Sequence, residues 1–300
     1  MLRIQPPREA AALTLTLTSL CPATRTGESE VVRASSEVGA GEPALPGLVL
    51  RLRGAGCVFA EQEAALLIEA AAHRPEVLER LAAARVAGEP LEQLLGWVSF
   101  CGRRMAVGPG VFVPRVRTEL LAEQAVSRLT GADVVVELCC GVAAVSTVLQ
   151  RCGRIAELYA VDIDPRAIPY ARRNLLAPAA VLLGDLYDPL PTRIFGRIDL
   201  IVASAPYVPT NAIAMMPREA RDHEPRIALD GGDDGTDVQR RIIALAPAWL
   251  RPGGCLLIET GRAQAEITAR EMRAAGLSAE IVIDDERDAT VVLGRGRTID

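Results

Sequence analysis

Val134-Val-Val-Glu-Leu-Cys-Cys-Gly-Val-Ala-Ala144 runs from an apolar strand through a turn into helix-forming sequence. Strands of continuous apolar residues are buried on both faces, as in parallel sheets covered by helices. The sequence that follows repeats the unit. Ala144 to Arg151 reads as a helix, Leu158 to Asp162 as the next strand, and Pro165 falls at the first turn of the helix after it. Val181 to Leu183, Asp199 to Ala203 and Cys255 to Glu259 continue the series. Glu280 to Asp284 and Thr290 to Leu293 then sit close together with no helix between them, so an antiparallel pair is expected at the sheet edge. The expected class is α/β, with a mostly parallel sheet and helices on both faces.

Upstream the sequence changes character three times. Residues 1–50 are rich in Ala, Thr, Ser, Glu, Gly and Pro without sustained helical periodicity, and are expected to be a disordered tail. Residues 51–97 are expected to form a small helical domain. Ala60 opens a strongly helix-forming run, Pro75 to Val86 places Val77, Leu78, Leu81 and Ala82 on one face, and Pro90 to Leu95 is stopped by Gly96. Residues 98–116, carrying Gly102, Gly108, Pro109 and Gly110, read as a hairpin or extended connector. A helix from Arg117 to Leu129 then leads into the main domain, 117–300.

Composition removes several chemistries. The 300 residues carry 33 basic and 38 acidic side chains, a net charge of −5, which argues against a protein held on nucleic acid by electrostatics. Every base is an arginine. A chain without lysine has no P-loop lysine and forms no Schiff base with a cofactor aldehyde. Two histidines rule out a three-histidine metal centre, and no metal is expected. Seven scattered cysteines with no C-x-x-C pair suit neither a disulfide framework nor zinc, and adjacent Cys139 and Cys140 suit small buried side chains. No apolar run is long enough to span a membrane. Leu13 to Cys21 alternates leucine with threonine and lacks a signal-type cleavage site, so a cytoplasmic protein is expected; separately, a monomer is expected.

In such a sheet, ligands bind beyond the carboxyl ends of the strands. The turn after the first strand has one glycine, Gly141, and taken alone is equally an ordinary strand-to-helix connection. Asp162 ends the next strand about 20 residues on, where an acid accepts the ribose hydroxyls of a nucleotide-like cofactor. Asp164, directly before Pro165, reads as a helix N-cap. Asp185 adds a carboxylate after the third strand. Acids at successive strand ends, without a basic glycine-rich loop, point to a nucleoside-bearing cofactor with no demanding phosphate. The fourth strand ends in Ser204-Ala-Pro-Tyr207, a stiff loop whose backbone carbonyls point outward at the rim.

Ser204-Ala-Pro-Tyr207 resembles the Asn-Pro-Pro-Tyr loop of class I S-adenosylmethionine-dependent amino-methyltransferases. Gly88 to Gly96, Val113-Pro-Arg-Val-Arg-Thr-Glu119, Glu224 to Gly235, Arg251-Pro-Gly-Gly254, Glu259-Thr-Gly261 and Gln264 all resemble the PrmC/HemK protein-glutamine N5-methyltransferases, in order from about Arg51 to Gly294. The pattern is that of a divergent branch. The resemblance implies a Rossmann-like methyltransferase domain, an N-terminal helical module that engages a protein substrate, and S-adenosylmethionine as cofactor. Carried over by position, Glu137 and Gly141 would line the methionine part of the cofactor, Asp162 would hold the ribose, and Asp185 would lie by the adenine. Ser204 would touch both cofactor and acceptor. Ser204, Ala205, Pro206 and Tyr207 would form the target-amide loop, with Phe112 and Pro114 as its roof.

Departures from the family pattern sit in the same places. Cys139 and Ala143 replace the first and last glycines of the cofactor turn, Ser204 replaces asparagine, and Ala205 replaces the first proline. Three readings follow. The first is transfer of a methyl group to a glutamine amide of a protein, by family implication a peptide chain release factor. The second is the same cofactor with another protein or a small-molecule acceptor, a nucleobase being disfavoured by charge. The third is a catalytically impaired cofactor-binding homologue.

Overall fold

The computed structural model describes residues 44–297. Four helices come first: α1 (Ala44–Gly54), α2 (Ala60–Ala71), α3 (Pro75–Val86) and α4 (Leu91–Leu95). They share a small core of Leu48, Val49, Leu52, Ala60, Ala64, Leu67 and Ala82. The expectation of a disordered stretch does not hold for residues 44–50. Residues 44–50 open α1, whose Leu48, Val49 and Leu52 are buried together, and residues 1–43 lie outside the described residues. On α3, Ala82 is buried as expected, but beside it lies a buried arginine, Arg85.

The hairpin follows as β1 (Trp97–Phe100) and β2 (Arg103–Ala106), in antiparallel register with Phe100 opposite Arg103. Cys101 and Gly102 form its two-residue turn, both at positive φ (48° and 69°), the twist that such turns require. Val98, Phe100, Met105, Val107, Val111 and Val113 enter the same core as the large sheet, so the expected hairpin and the residues after it pack against the sheet.

The remaining chain alternates β3 (Asp133–Leu138), β4 (Ile155–Asp162), β5 (Ala180–Leu183), β6 (Ile198–Ala203) and β7 (Leu250–Glu259) with α5 (Thr118–Val126), α6 (Ala144–Cys152), α7 (Ile168–Asn174), α8 (Arg218–His223), α9 (Asp237–Trp249) and α10 (Ala265–Ala274). It closes with β8 (Ser278–Asp284) and β9 (Ala289–Arg295). The sheet order is β5-β4-β3-β6-β7-β9-β8. β9 is antiparallel to both β7 and β8, so the antiparallel strand is the penultimate one, slotted between β7 and the edge. Along β3, Val135 faces one core while Val134, Val136 and Leu138 face the other, which is why its sequence is apolar throughout. The strand order reverses between β4-β3 and β3-β6. That switch point opens a crevice at the carboxyl ends, where Cys139, Asp162 and Ser204 meet.

Candidate functional site

The turn from β3 to α6 carries three left-handed residues: Cys139 (φ 53°), Gly141 (φ 53°) and Ala143 (φ 59°). Cys139 and Ala143 stand where the resemblance expects glycine, so the turn keeps its shape at the cost of about 1–2 kcal/mol of steric strain per non-glycine residue. Ala143→Gly is therefore expected to leave stability unchanged or raise it by up to about 1 kcal/mol, whereas the neighbouring helical change Ala144→Gly costs about 1 kcal/mol. Urea denaturation of the two variants checks the contrast.

Asp162 fixes this turn to the end of β4. Its Oδ2 accepts the Gly141 N–H at 2.6 Å and its Oδ1 accepts the Asp164 N–H at 2.8 Å. Burial raises its pKa above the ordinary aspartate value, against the pull of those N–H donors. Asp164 accepts the Arg166 N–H at 2.9 Å, closing the turn that precedes α7 rather than capping the helix itself. Ile163, exposed beside Asp162, and Leu186 give the cleft aliphatic walls.

Gly141, Asp162, Asp185, Ser204 and Pro206 all line this cleft, together with Phe112. Glu137 does not. It is buried behind the turn, where it accepts the Ser146 N–H at 2.7 Å, and burial pushes its carboxyl up to about 7. Burial also raises the Cys139 and Cys140 thiol pKa values, which disfavours the thiolate form at both. Asp185 meets a partner that the sequence did not announce: Arg241 of α9 donates to its Oδ2 at 2.6 Å across the cleft.

A second, smaller cavity opens beside the first, lined by Arg115, Arg117, Ala205, Tyr207 and Glu259 among others. The two cavities share Phe112, Ser204, Pro206 and Ala228. Phe112 is thus a roof over both, while Pro114 lines neither. The roof is held from below by Glu224, whose Oε1 accepts the Val113 N–H at 3.1 Å and whose Oε2 accepts from the Arg115 guanidinium. Arg115 in turn lies 4.9 Å from the Phe112 ring centroid. The loop 204–207 is clamped from the other side. Gln264 donates to the Tyr207 carbonyl and to the Asp234 carbonyl, both at 2.8 Å. Gly235 is required there, because a Cβ would stand 2.3 Å from the Tyr207 carbonyl oxygen.

At the floor of the second cavity lies Glu259, the last residue of β7. Ser204 Oγ donates to its Oε2 at 2.9 Å, Tyr207 OH lies 3.4 Å from its Oε1, and Arg117 Nε is 4.0 Å away. Burial raises the Glu259 pKa, partly offset by hydrogen bonds from the Thr118 and Ser204 side chains. The sequence placed Glu259 in a family motif but gave it no role. Its position at the carboxyl end of a central strand was the available signal.

No family model matches the chain. Among curated proteins it is 41% identical over 191 residues to the release factor glutamine methyltransferase of Mycolicibacterium smegmatis, covering 62% of this chain and 67% of that protein. The chain belongs to the release factor glutamine methyltransferase family. It spans about two thirds of the length of the curated family members it matches. It is also 34% identical over 200 residues to a 4-amino-L-phenylalanine/4-methylamino-L-phenylalanine methyltransferase of Streptomyces pristinaespiralis, covering 64% of this chain and 68% of that one. Among solved structures, a methyltransferase from Pyrococcus furiosus shares the fold with a TM-score of 0.51 at 16% identity, over 66% of this chain and 90% of the other. The chain thus has the class I methyltransferase fold. The cleft's chemistry fits this family's cofactor: among its lining carboxylates Asp162 and Asp185 are available to hydroxyl and amino donors, Ile163, Leu186 and Val238 give aliphatic walls for a flat heterocycle, and the one lining arginine, Arg241, is paired with Asp185.

Proposed function

We propose that the chain transfers a methyl group from S-adenosylmethionine to the side-chain amide nitrogen (N5) of a glutamine in a protein substrate, a peptide chain release factor. The observation that carries this reading is the shared wall. A nucleoside-type cleft and a second polar cavity meet at Ser204 and Pro206 under Phe112, so a donor on one side faces an acceptor on the other. Asp162, Asp185, Gly141 and Ser204 would hold S-adenosylmethionine, which supplies an electrophilic methyl group when bound. Ser204, Ala205, Pro206 and Tyr207 would hold the acceptor. An amide nitrogen is a weak nucleophile because its lone pair is delocalised. Acceptors around its NH2 group and a fixed aromatic neighbour favour the reactive orientation, so alignment and electrostatics supply most of the acceleration.

The test uses the purified full chain, methyl-labelled S-adenosylmethionine and a release factor carrying the Gly-Gly-Gln motif. The expected result is one methyl group on that glutamine, located by peptide mass spectrometry. Absence of label with wild type but label with Ser204→Asn would identify an impaired loop and overturn the reading. A second acceptor is favoured by the similarity to the Streptomyces 4-amino-L-phenylalanine/4-methylamino-L-phenylalanine methyltransferase, an enzyme named for an aromatic amine. Methylation of 4-amino-L-phenylalanine and not of the release factor would select that acceptor instead.

A further inference from the structure

The methyl acceptor must lose a proton when its nitrogen becomes methylated, and the described site offers one buried route for it. Ser204 Oγ has a single hydrogen, and that hydrogen points to Glu259 Oε2 at 2.9 Å. The hydroxyl is thereby spent as a donor, and its lone pairs are left to accept. This orientation makes Ser204 an acceptor on the wall between the two cavities. A serine whose hydroxyl were free to rotate would present donor and acceptor faces alike. Glu259 itself is 2% exposed and is held by groups from two other segments: Ser204 and Tyr207 after β6, and the consecutive Arg117 and Thr118 where α5 begins. Arg117 and Tyr207 are the charged and titratable groups facing it, and Arg117 also lies over the Tyr207 ring, 5.8 Å from its centroid.

We propose that Ser204 and Glu259 act as a proton-accepting pair for the methyl acceptor, with Ser204 touching the acceptor nitrogen and Glu259 acting through it. The inference rests on the methyltransferase reading above and adds to it where the proton goes. The nitrogen gains the methyl carbon as the carbon–sulfur bond of the sulfonium donor breaks, its electron pair staying on sulfur. The N–H proton passes to Ser204 Oγ, and the serine hydroxyl proton passes to Glu259, which ends as a neutral carboxylic acid and later returns the proton to solvent. The pair also accounts for the missing asparagine. An asparagine amide oxygen accepts a hydrogen bond but has no hydroxyl proton to hand on, whereas serine does both once a carboxylate stands behind it.

The receptive form of Glu259 is the carboxylate. Because burial raises its pKa, that form is lost on acidification at a pH above the ordinary glutamate value. The rate should therefore fall toward low pH along a limb that belongs to Glu259.

The experiment measures kcat and KM for the release factor against pH in wild type, Glu259→Gln, Ser204→Ala and Ser204→Asn. Infrared difference spectra follow protonated carboxyl, and calorimetry follows S-adenosylmethionine. The expected result is an acidic limb in wild type that is missing from all three variants, with kcat lowered about tenfold to a hundredfold and KM within about threefold. A carboxyl band that titrates with the limb in wild type and is missing in Glu259→Gln completes it. Calorimetric affinity for the cofactor should stay near wild type in Glu259→Gln, because Glu259 does not line the cofactor cleft. Ser204→Ala keeps Glu259 in place, so a fold defect in Glu259→Gln does not blunt the test. An acidic limb that survives in Glu259→Gln or in Ser204→Asn overturns the proton-accepting pair and leaves the methyltransferase reading standing. No transfer by wild type to either the release factor or the aromatic amine overturns both.

Discussion

Asp162→Ala lowers the affinity for S-adenosylmethionine by about a hundredfold or more, the loss expected when two charge-assisted hydrogen bonds from ribose hydroxyls are removed at about 1.5–3 kcal/mol each. The same carboxylate accepts the Gly141 and Asp164 N–H groups, so it holds the turn after β3 in addition to the proposed ribose contact. Two contributions therefore enter one measurement, and they separate by substitution. Asp162→Asn keeps a side-chain oxygen for Gly141 but loses the charge and turns an N–H toward the other donor. It should retain most of the folded stability and still lose most of the affinity. Isothermal titration with S-adenosylmethionine, beside thermal unfolding of each ligand-free variant, checks both. An affinity within about threefold of wild type in Asp162→Asn would mean that the carboxylate only braces the turn.

Arg85→Met is expected to destabilise the chain by about 3–5 kcal/mol, because it leaves a buried carboxylate without its counter-charge. Arg85 lies on α3, 6% exposed, and donates to Glu63 of α2 at 2.6 and 3.2 Å. Its remaining nitrogen reaches Glu219 of α8 at 2.5 Å. The guanidinium thus ties the helical module to the segment that leads to Glu224 and so to the Phe112 roof. Replacing both buried partners, Arg85→Met with Glu63→Leu, should recover most of the lost stability, since an apolar pair of similar volume carries no desolvation cost. It should not recover the tie to Glu219. Denaturant titration measures the first effect. The second appears as a raised KM for a protein substrate with little change in cofactor affinity. Equal loss in the single and double variants would show that Arg85 matters through packing alone.

The sheet was legible because its strands are buried on both faces, which leaves long apolar runs such as Val134–Leu138 and Asp199–Ala203 with little else to be. The carboxylates at strand ends were legible for a related reason, since an acid that closes such a run has nowhere to go but the rim. Helix α1 was not legible. Pro46 and Gly47 near its start read as chain breakers, and its burial depends on α2, which lies beyond a turn at Gly56 and Cys57. Arg85 was hidden for the opposite reason: an arginine on an amphipathic helix reads as solvated unless two carboxylates from distant segments are known to meet it. The convergence on Glu259 joins residues 117, 204, 207 and 259, and no periodicity or spacing encodes such a meeting. Arg241 opposite Asp185 belongs to the same class.

The late position of β9 has a consequence for how the site is assembled on the ribosome. β7 carries Glu259, yet one of its two neighbours in the sheet, β9, is made some 30 residues later and inserts between β7 and β8. Until residues 289–295 emerge, one side of β7 is a row of unpaired backbone donors and acceptors, open to pairing with another nascent chain. The carboxylate that the second cavity depends on is thus seated on a strand that is among the last to be closed. A chain ending before β9 would thus carry Asp162 and Asp185 at the rim of an otherwise formed sheet while the strand that ends in Glu259 kept one unpaired edge.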